Sequence, residues 1–545
     1  MCYKWSFLMS ERSPFPILTS SEQEISLLGV QHDGTVVTLE HTVAEALHMV
    51  MIEDTQPSNG HSGIAVLSAS PGWVGDYYRQ NGDRCYADNK LPLPERSLGE
   101  HLLPRSNEPH LPGMGLDGHL ASLRATEIFD EKLAVAMLQL QPDLARVLIN
   151  ARTVDSTGRN TLGLHHAIGI DVLKGQLDDF ELWEIHKMII TYIVLGTFLS
   201  GAGHYDQNGN FSLSQKLYAK SLFDPEFSSL VRMHFSEGTA RIEPRTPDIL
   251  LNDRANKRAV GGLAICATLA QIPALREKFA YGADVVTHPF VAGTKEEAQT
   301  MLRWYNSPDI GADGYFRNTD GNQNILQAVQ FIRRQSEVFL RDVPNYASNP
   351  PVDLVEAAQD IIGFCNKMVQ ALQRKIPVSD LLPDIDWAAK HTAAQRSRAQ
   401  RAAKGEPVPP YTDYDLTYAL RVVEAVPTKD GSVKYAVNPK RSGLGYQLRD
   451  SGAFGKTVSL ETARAAYHTA PPGRAALRGQ MVASGAMLKG LNWPGADVVF
   501  IGQDQVPPGL PVKPGDVDDT WVYSVTMPDP RKQRFTDEEL RALGL

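Results

Sequence analysis

The chain has 545 residues and a mass of 60.0 kDa, enough for a large catalytic domain with an appendage. Hydrophobic residues at 42% and charged residues at 21% exclude collagen-like, coiled-coil and wholly disordered chains. A balance of 54 basic against 63 acidic residues, net −9, gives no general electrostatic reason to bind nucleic acid or anionic lipid, so neither is expected as a partner.

Residues 1–20 (MCYKWSFLMSERSPFPILTS) have no continuous apolar run and no small-residue cleavage site, and are read as a flexible N-terminus rather than a signal peptide. Residues 21–40 carry β-branched runs around a glycine-rich turn, the pattern of a hairpin or of a strand opening into a loop. Val43, Leu47, Val50 and Met51 recur at helical spacing over 41–52, whereas 53–63 and 89–118 are rich in Pro, Gly, Ser and Asn and read as loops. The second loop is long for a compact domain, which points to a functional segment or an active-site flap.

Apolar spacing predicts helices over 119–140 and 176–200, separated by short β-like runs over 144–173 that the turn DSTGRN interrupts. The most apolar stretch, Met188 to Ser200, is too short for the roughly twenty residues a bilayer requires and is read as the end of a buried helix. Residues 211–260 read as mostly strand and loop, 260–280, 323–342 and 352–374 as helices, the last stopped by Pro377, and 393–412 as an exposed helix running into a loop. A change of composition at 469–479 divides a main domain, 21–468, from a small β-rich C-terminal domain, 469–545, with strands at ADVVFIGQ and WVYSVTMP. Four scattered cysteines (Cys2, Cys85, Cys266, Cys365) form neither a disulfide framework nor a CxxC pair, and a reducing cytoplasm is the expected compartment.

The phosphate-loop, dinucleotide, HExxH and GxSxG patterns are all absent, so the common hydrolase and nucleotide templates do not apply. One segment stands out. In NGDRCYADNKLPLPERS, residues 81–97, a turn starts a strand whose alternation puts Arg84, Tyr86 and Asp88 on one face and delivers the Asp88 carboxylate at its exit. Alone, such an acid equally caps a turn.

This segment resembles the NGAR-[LF]-Y-x-D signature of the Pup ligase and Pup deamidase/depupylase family, the proteasome accessory factor A family. Further resemblances follow in chain order. VDSTGRNTLGLHHA (154–167) is similar to the family's D-x-x-G-x-S-Y-G-x-H-E-N, and SGAGHYDQNGNFSLSQK (200–216) to T-G-A-G followed by F-x-[IL]-S-Q-[RK]. DIDWAAKH (384–391), DLTY (415–418), RSGLGYQL (441–448) and APPGRAALRG (470–479) resemble the family's L-D-W-V-A-K, D-L-x-Y, R-G-L-Y and P-P-x-x-T-R-A-x-x-R-G.

The resemblance implies an α+β, glutamine-synthetase-like carboxylate–amine ligase fold, in which a curved antiparallel sheet backed by helices cradles ATP and magnesium. It also implies a small Pup-like or other ubiquitin-like modifier, with its conjugates, as partner. Carried over position by position, Asp88 takes the place of the catalytic aspartate, as nucleophile or as base toward water. His165 falls on the histidine of H-E-N, near the metal. Lys216, Arg245 and Arg478 fall on basic positions that face nucleotide.

Departures concern the metal. The family's opening strand, G-x-E-x-E-[YF]-G, is matched here to Gly29-Val30-Gln31-His32-Asp33-Gly34, which replaces the first magnesium-binding glutamate by Gln31 and shortens the second to Asp33. The H-P-E after the catalytic aspartate becomes Leu91-Pro92-Leu93, with Glu95 two positions away, and His166-Ala167 replace E-N. Metal ligands are then expected among Gln31, Asp33, Glu95 and His165, at a site too poor in carboxylates for tight magnesium binding. A ligase must hold ATP in line for phosphoryl transfer, whereas a hydrolase tolerates more erosion. The expected activity is therefore amidase or isopeptidase action on such a modifier, with ATP-dependent ligation or a catalytically inactive modifier-binding protein as alternatives.

Overall fold

The computed structural model describes residues 18–23, 25–37, 39, 46, 50, 65–66, 77–78, 84–85, 87–88, 96–98, 105–106, 115–151, 163–169, 179–214, 231–236, 239–245, 247–280, 303–347, 349–455, 458–468, 489–493 and 496–499. Two antiparallel sheets share one stretch of chain. Strand β1 (Leu18–Gln23) lies in a five-stranded sheet and β2 (Ile25–Gln31), one residue further on, in a seven-stranded one.

Along one side of this stretch run β7 (Leu144–Asn150), paired with β2, and β8 (Leu164–Gly169), paired with β1. Along the other side run β5 (Arg96–Leu98), paired with β2, and β6 (Arg105–Ser106), paired with β1. The seven-stranded sheet adds β3 (Val36–Val37), β4 (Ala87–Asp88) at one edge, and β13 (Leu420–Pro427) with β14 (Val433–Val437) at the other. The five-stranded sheet ends in β11 (Val231–Ser236) and β12 (Thr239–Pro244).

Side-chain alternation gives the shared strand two unlike faces. Ile25 and Leu27, fully buried, pack into one core cluster with Phe129, Leu133 and Met137 of helix α1 (Gly115–Leu140). The Ser21 hydroxyl reaches His119 of the same helix. Ser21, Ile25 and Leu27 thus share the face turned to helix α1.

A second cluster joins α2 (Asp179–Leu195), the short α3 (Thr197–Ser200), α4 (Asp253–Gln271), α5 (Pro273–Ala280), α6 (Asp320–Asp342) and α7 (Val352–Leu372). Close packing here needs glycine at one point: a Cβ on Gly262 of α4 would lie 2.0 Å from the Tyr192 hydroxyl. Helices α8 (Asp386–Lys404), α9 (Thr412–Tyr418), α10 (Leu444–Asp450) and α11 (Leu460–His468) complete the helices described up to 468.

Several boundaries differ from expectation, each for a local reason. Helix α4 starts at Asp253, inside the stretch read as strand and loop, because the Asn252 side chain accepts hydrogen bonds from the Arg254 and Ala255 amides and caps it. Helix α8 starts at Asp386 rather than 393, since its first two turns are buried and lack the polar signature of its exposed half. Strands β5 and β6 lie within the expected loop 89–118, and β1 begins at Leu18, inside the stretch read as a flexible N-terminus. Beyond 468, Lys489–Trp493 pairs with Ala496–Val499 as a hairpin, and WVYSVTMP lies outside the described residues. The apolar stretch 188–200 is buried in the second cluster up to Leu199, and no single described helix is long and apolar enough to cross a membrane.

Candidate functional site

The register of β1 and β8 sets Glu22 directly opposite His165. The adjoining pair, Ser21 opposite His166, points toward α1. The histidine pair therefore divides its labour by strand alternation, one ring to each face.

His165 is 6% exposed, and its Nδ1 lies 3.8 Å from Oε1 of Glu243 on β12, itself 3% exposed. Arg245 Nε donates to the same carboxylate at 3.0 Å, and Arg232 of β11 is the cross-strand partner of Glu243. An imidazole, a carboxylate and a guanidinium thus meet on three adjacent stretches, beside the backbone position of Glu22. The Glu243 carboxylate and the imidazole offer two donors for a divalent cation, and the arginine offers a fork for phosphate. Among the described residues, no three His, Cys, Asp or Glu side chains gather closely enough to hold an ion by themselves.

Asp88 ends β4, the edge strand of the seven-stranded sheet, and its cross-strand row runs Asp88, Ser97, Ser26, Asn150. Ser26 is four residues beyond Glu22 in sequence and in the other sheet, and Asp88 lies two strands across from it. The expected single strand around Asp88 is interrupted. Arg84–Cys85 pairs with Tyr77–Tyr78 in a separate three-stranded sheet, and only Ala87–Asp88 joins the large one, so the shared face expected for Arg84, Tyr86 and Asp88 is not that of one regular strand.

Gln31 and Asp33 are placed elsewhere. Gln31 closes β2, with its Nε2 donating to Asp143 Oδ2 at 2.5 Å, and Asp33 is exposed in the following turn, where its Oδ1 accepts the Thr35 amide at 2.8 Å. That backbone hydrogen bond holds the Asp33 carboxyl below its ordinary range. The physical reason is the Asp33-Gly34 pair: Gly34 has φ +92°, a turn conformation that ends the strand. Nine residues of extended chain, on the order of 30 Å, separate Gln31 from the position opposite His165, so the structure does not bring these two residues to His165. Glu95, Lys216 and Arg478 lie outside the described residues.

Glu22 and Glu243 escaped the sequence reading. The signal for the first was an acid-x-acid alternation, Glu22-Gln23-Glu24, at the period of a strand; Glu24 itself lies outside the described residues. Glu243 had only its place two residues before Arg245.

Three of the motif segments converge at a second point. Asp415 of α9 accepts from the Tyr205 amide at 2.8 Å, lies 2.7 Å from His204 Nδ1, and pairs with Lys390 of α8 at 3.0 Å. Lys390 also donates to the Gly203 carbonyl at 2.6 Å, and the Tyr205 hydroxyl lies 2.7 Å from His391 Nδ1. Burial pushes the Asp415 carboxyl up, but Lys390 and His204 outweigh it and hold it below its ordinary value. Saturated in this way, Lys390 and Asp415 clamp the hairpin of β9 (His204–Tyr205) and β10 (Phe211–Ser212), whose chain leads on to Lys216.

No family sequence profile matches this chain, and no curated protein matches its sequence. Solved structures do match in fold. A complex of the prokaryotic ubiquitin-like protein Pup with its ligase PafA aligns over 87% of this chain and 83% of that one, at 16% identity and a TM-score of 0.58. The Pup ligase PafA in complex with ADP aligns over 76% and 81%, at 17% identity and a TM-score of 0.52. The chain thus adopts the glutamine-synthetase-like carboxylate–amine ligase fold, α+β with antiparallel sheets backed by helices.

Proposed function

We propose that this protein is an ATP-dependent carboxylate–amine ligase related to the Pup ligases, joining the terminal carboxylate of a Pup-like modifier to a lysine amine. The observation that carries this reading is the placement of Glu22 opposite His165, with Glu243 and Arg245 on the next strand. The expectation of hydrolysis rested on Gln31 and Asp33 standing for the family's two opening glutamates. With β1 and β2 taken as the opening strand, the motif's alternating acids would fall on Glu22 and Glu24, and the argument from an eroded metal site would rest only on Leu91-Pro92-Leu93 and His166-Ala167. The solved neighbours, one bound to Pup and one to ADP, are ligases and lean the same way.

In this reading Glu22, Glu24, His165 and Glu243 hold magnesium, a donor set of hard oxygens with one imidazole that suits the ion. Magnesium with its nucleotide supplies charge neutralisation for phosphoryl transfer. Arg245 faces phosphate, and Asp88 takes the proton of the attacking amine. His166-Ala167, where the family motif has E-N, and Leu91-Pro92-Leu93, where it has H-P-E, are the departures that still favour the amidase, which would use the same cradle and Asp88 against water.

The test supplies purified protein with magnesium-ATP, a Pup ending in glutamate and a lysine-bearing acceptor. Ligation predicts an isopeptide-linked product with stoichiometric ADP, lost in Asp88→Asn by roughly 10² or more. Cleavage of a preformed conjugate without conjugation would instead establish the amidase.

A further inference from the structure

Directly behind the Glu22–His165 row, three buried polar side chains from three elements form one chain of hydrogen bonds. Ser21 Oγ lies 2.7 Å from His119 Nε2 on α1 and 2.8 Å from His166 Nδ1 on β8. Ser21 and His119 are fully buried and His166 is 2% exposed. The Ser21 hydroxyl, with one proton and two lone pairs, can bond both rings at once, and both bonds exist only when all three elements are in place.

We propose that Ser21, His119 and His166 form a register lock that positions the Glu22–His165 row for magnesium-nucleotide binding. The inference rests on the proposed function for its ligand, and on the sheet geometry for its mechanism. A slip of β1 against β8 by one residue turns Ser21 and His166 away from α1 and swaps the two faces. A slip by two sets Ser21 opposite Leu164 or Ile168, which offer no polar side-chain atom, and breaks the Ser21–His166 bond. Of these registers, the one that keeps both Ser21 bonds is the one that puts Glu22 across from His165. His166 stands where the family motif has glutamate, so the lock is this chain's own feature.

Two measurements on the full chain test the lock, using Ser21→Ala, Ser21→Thr as the conservative rescue, and Phe331→Leu in the α6 core as a control for general destabilisation. In calorimetry with magnesium-ATP, Ser21→Ala should bind about 10-fold or more weakly, in line with losses seen when groups behind metal ligands are removed. Ser21→Thr should restore affinity, and Phe331→Leu should leave it unchanged. In hydrogen–deuterium exchange of the ligand-free protein, Ser21→Ala should accelerate exchange in 18–23 and 164–169 selectively. Uniform acceleration over the whole domain, or affinity within twofold of the unmutated protein, would overturn the lock. Failure of the unmutated protein to bind magnesium-ATP would instead sink the proposed function, and the exchange pattern would still decide the lock.

Discussion

Replacing His391 by Gln gives a prediction with a definite sign and size. The ring is 5% exposed on α8, and burial holds its pKa down at about 4 against an ordinary 6.5. Because the folded protein resists protonation here, the stability contributed by neutral His391 is present above pH 6.5 and is lost as pH falls toward 4. The difference of about 2.5 units corresponds to roughly 3 kcal/mol.

Five residues earlier, Asp386 accepts the Leu251 and Asn252 amides at 2.9 and 3.1 Å, yet burial raises its pKa to about 6 from 3.8. Its sign is opposite: charged Asp386 destabilises the fold at neutral pH, and acidification from 6 toward 4 relieves about 3 kcal/mol. The two groups therefore nearly cancel between pH 6.5 and 4. Urea unfolding followed by tryptophan fluorescence at pH 7, 6, 5 and 4 separates them. Relative to the unmutated protein, His391→Gln should start about 1 kcal/mol less stable at pH 7, from the altered bond to Tyr205, and gain roughly 3 kcal/mol by pH 4. A difference that stays constant with pH would refute the reasoning.

Two other substitutions probe the frame of the site. Burial pushes the Glu127 carboxyl up, but Arg124 and Arg449 outweigh it and hold it at about 2 against 4.5, so its contribution is present above pH 4.5 and lost as pH falls through 2. Glu127→Gln removes one carboxylate from Arg124, which keeps Asp253, and one from Arg449, which keeps Asp450, and should cost ~1.5–3 kcal/mol at pH 7 by chemical denaturation, with a flatter acid limb than the unmutated protein. Gly443→Ala places a Cβ 1.8 Å from the Thr417 carbonyl oxygen and 2.4 Å from that of Tyr418, so the variant should lose more than the ~1–3 kcal/mol of ordinary overpacking, read as a fall in melting temperature; an unchanged melting temperature would show that this turn yields.

The long amphipathic helices were legible because their apolar period is sustained over many turns: α6 and α7 fall within three residues of the expected 323–342 and 352–374. Short strands were not. β5 and β6 span three and two residues, too few for any alternation to register against the surrounding prolines and glycines. His165 and Arg245 were found by motif and meet through Glu243, whereas the metal ligands expected at Gln31 and Asp33 lie nine residues beyond the proposed Glu22 and Glu24. The 29–34 stretch matched to the family's opening strand contains an Asp-Gly turn, so β2 ends at Gln31 and Asp33 sits in the turn. The clamp of Asp415, Lys390 and His204 was visible as three separate motifs, but only the fold brings α8, α9 and the hairpin together.

The most direct test of the central claim is calorimetric titration of ATP with and without magnesium, on the unmutated protein, Glu22→Gln and Gln31→Ala. The account predicts magnesium-dependent binding that Glu22→Gln weakens and Gln31→Ala leaves intact. Binding that withstands Glu22→Gln but is weakened by Gln31→Ala would contradict it and return the metal site to the far end of β2.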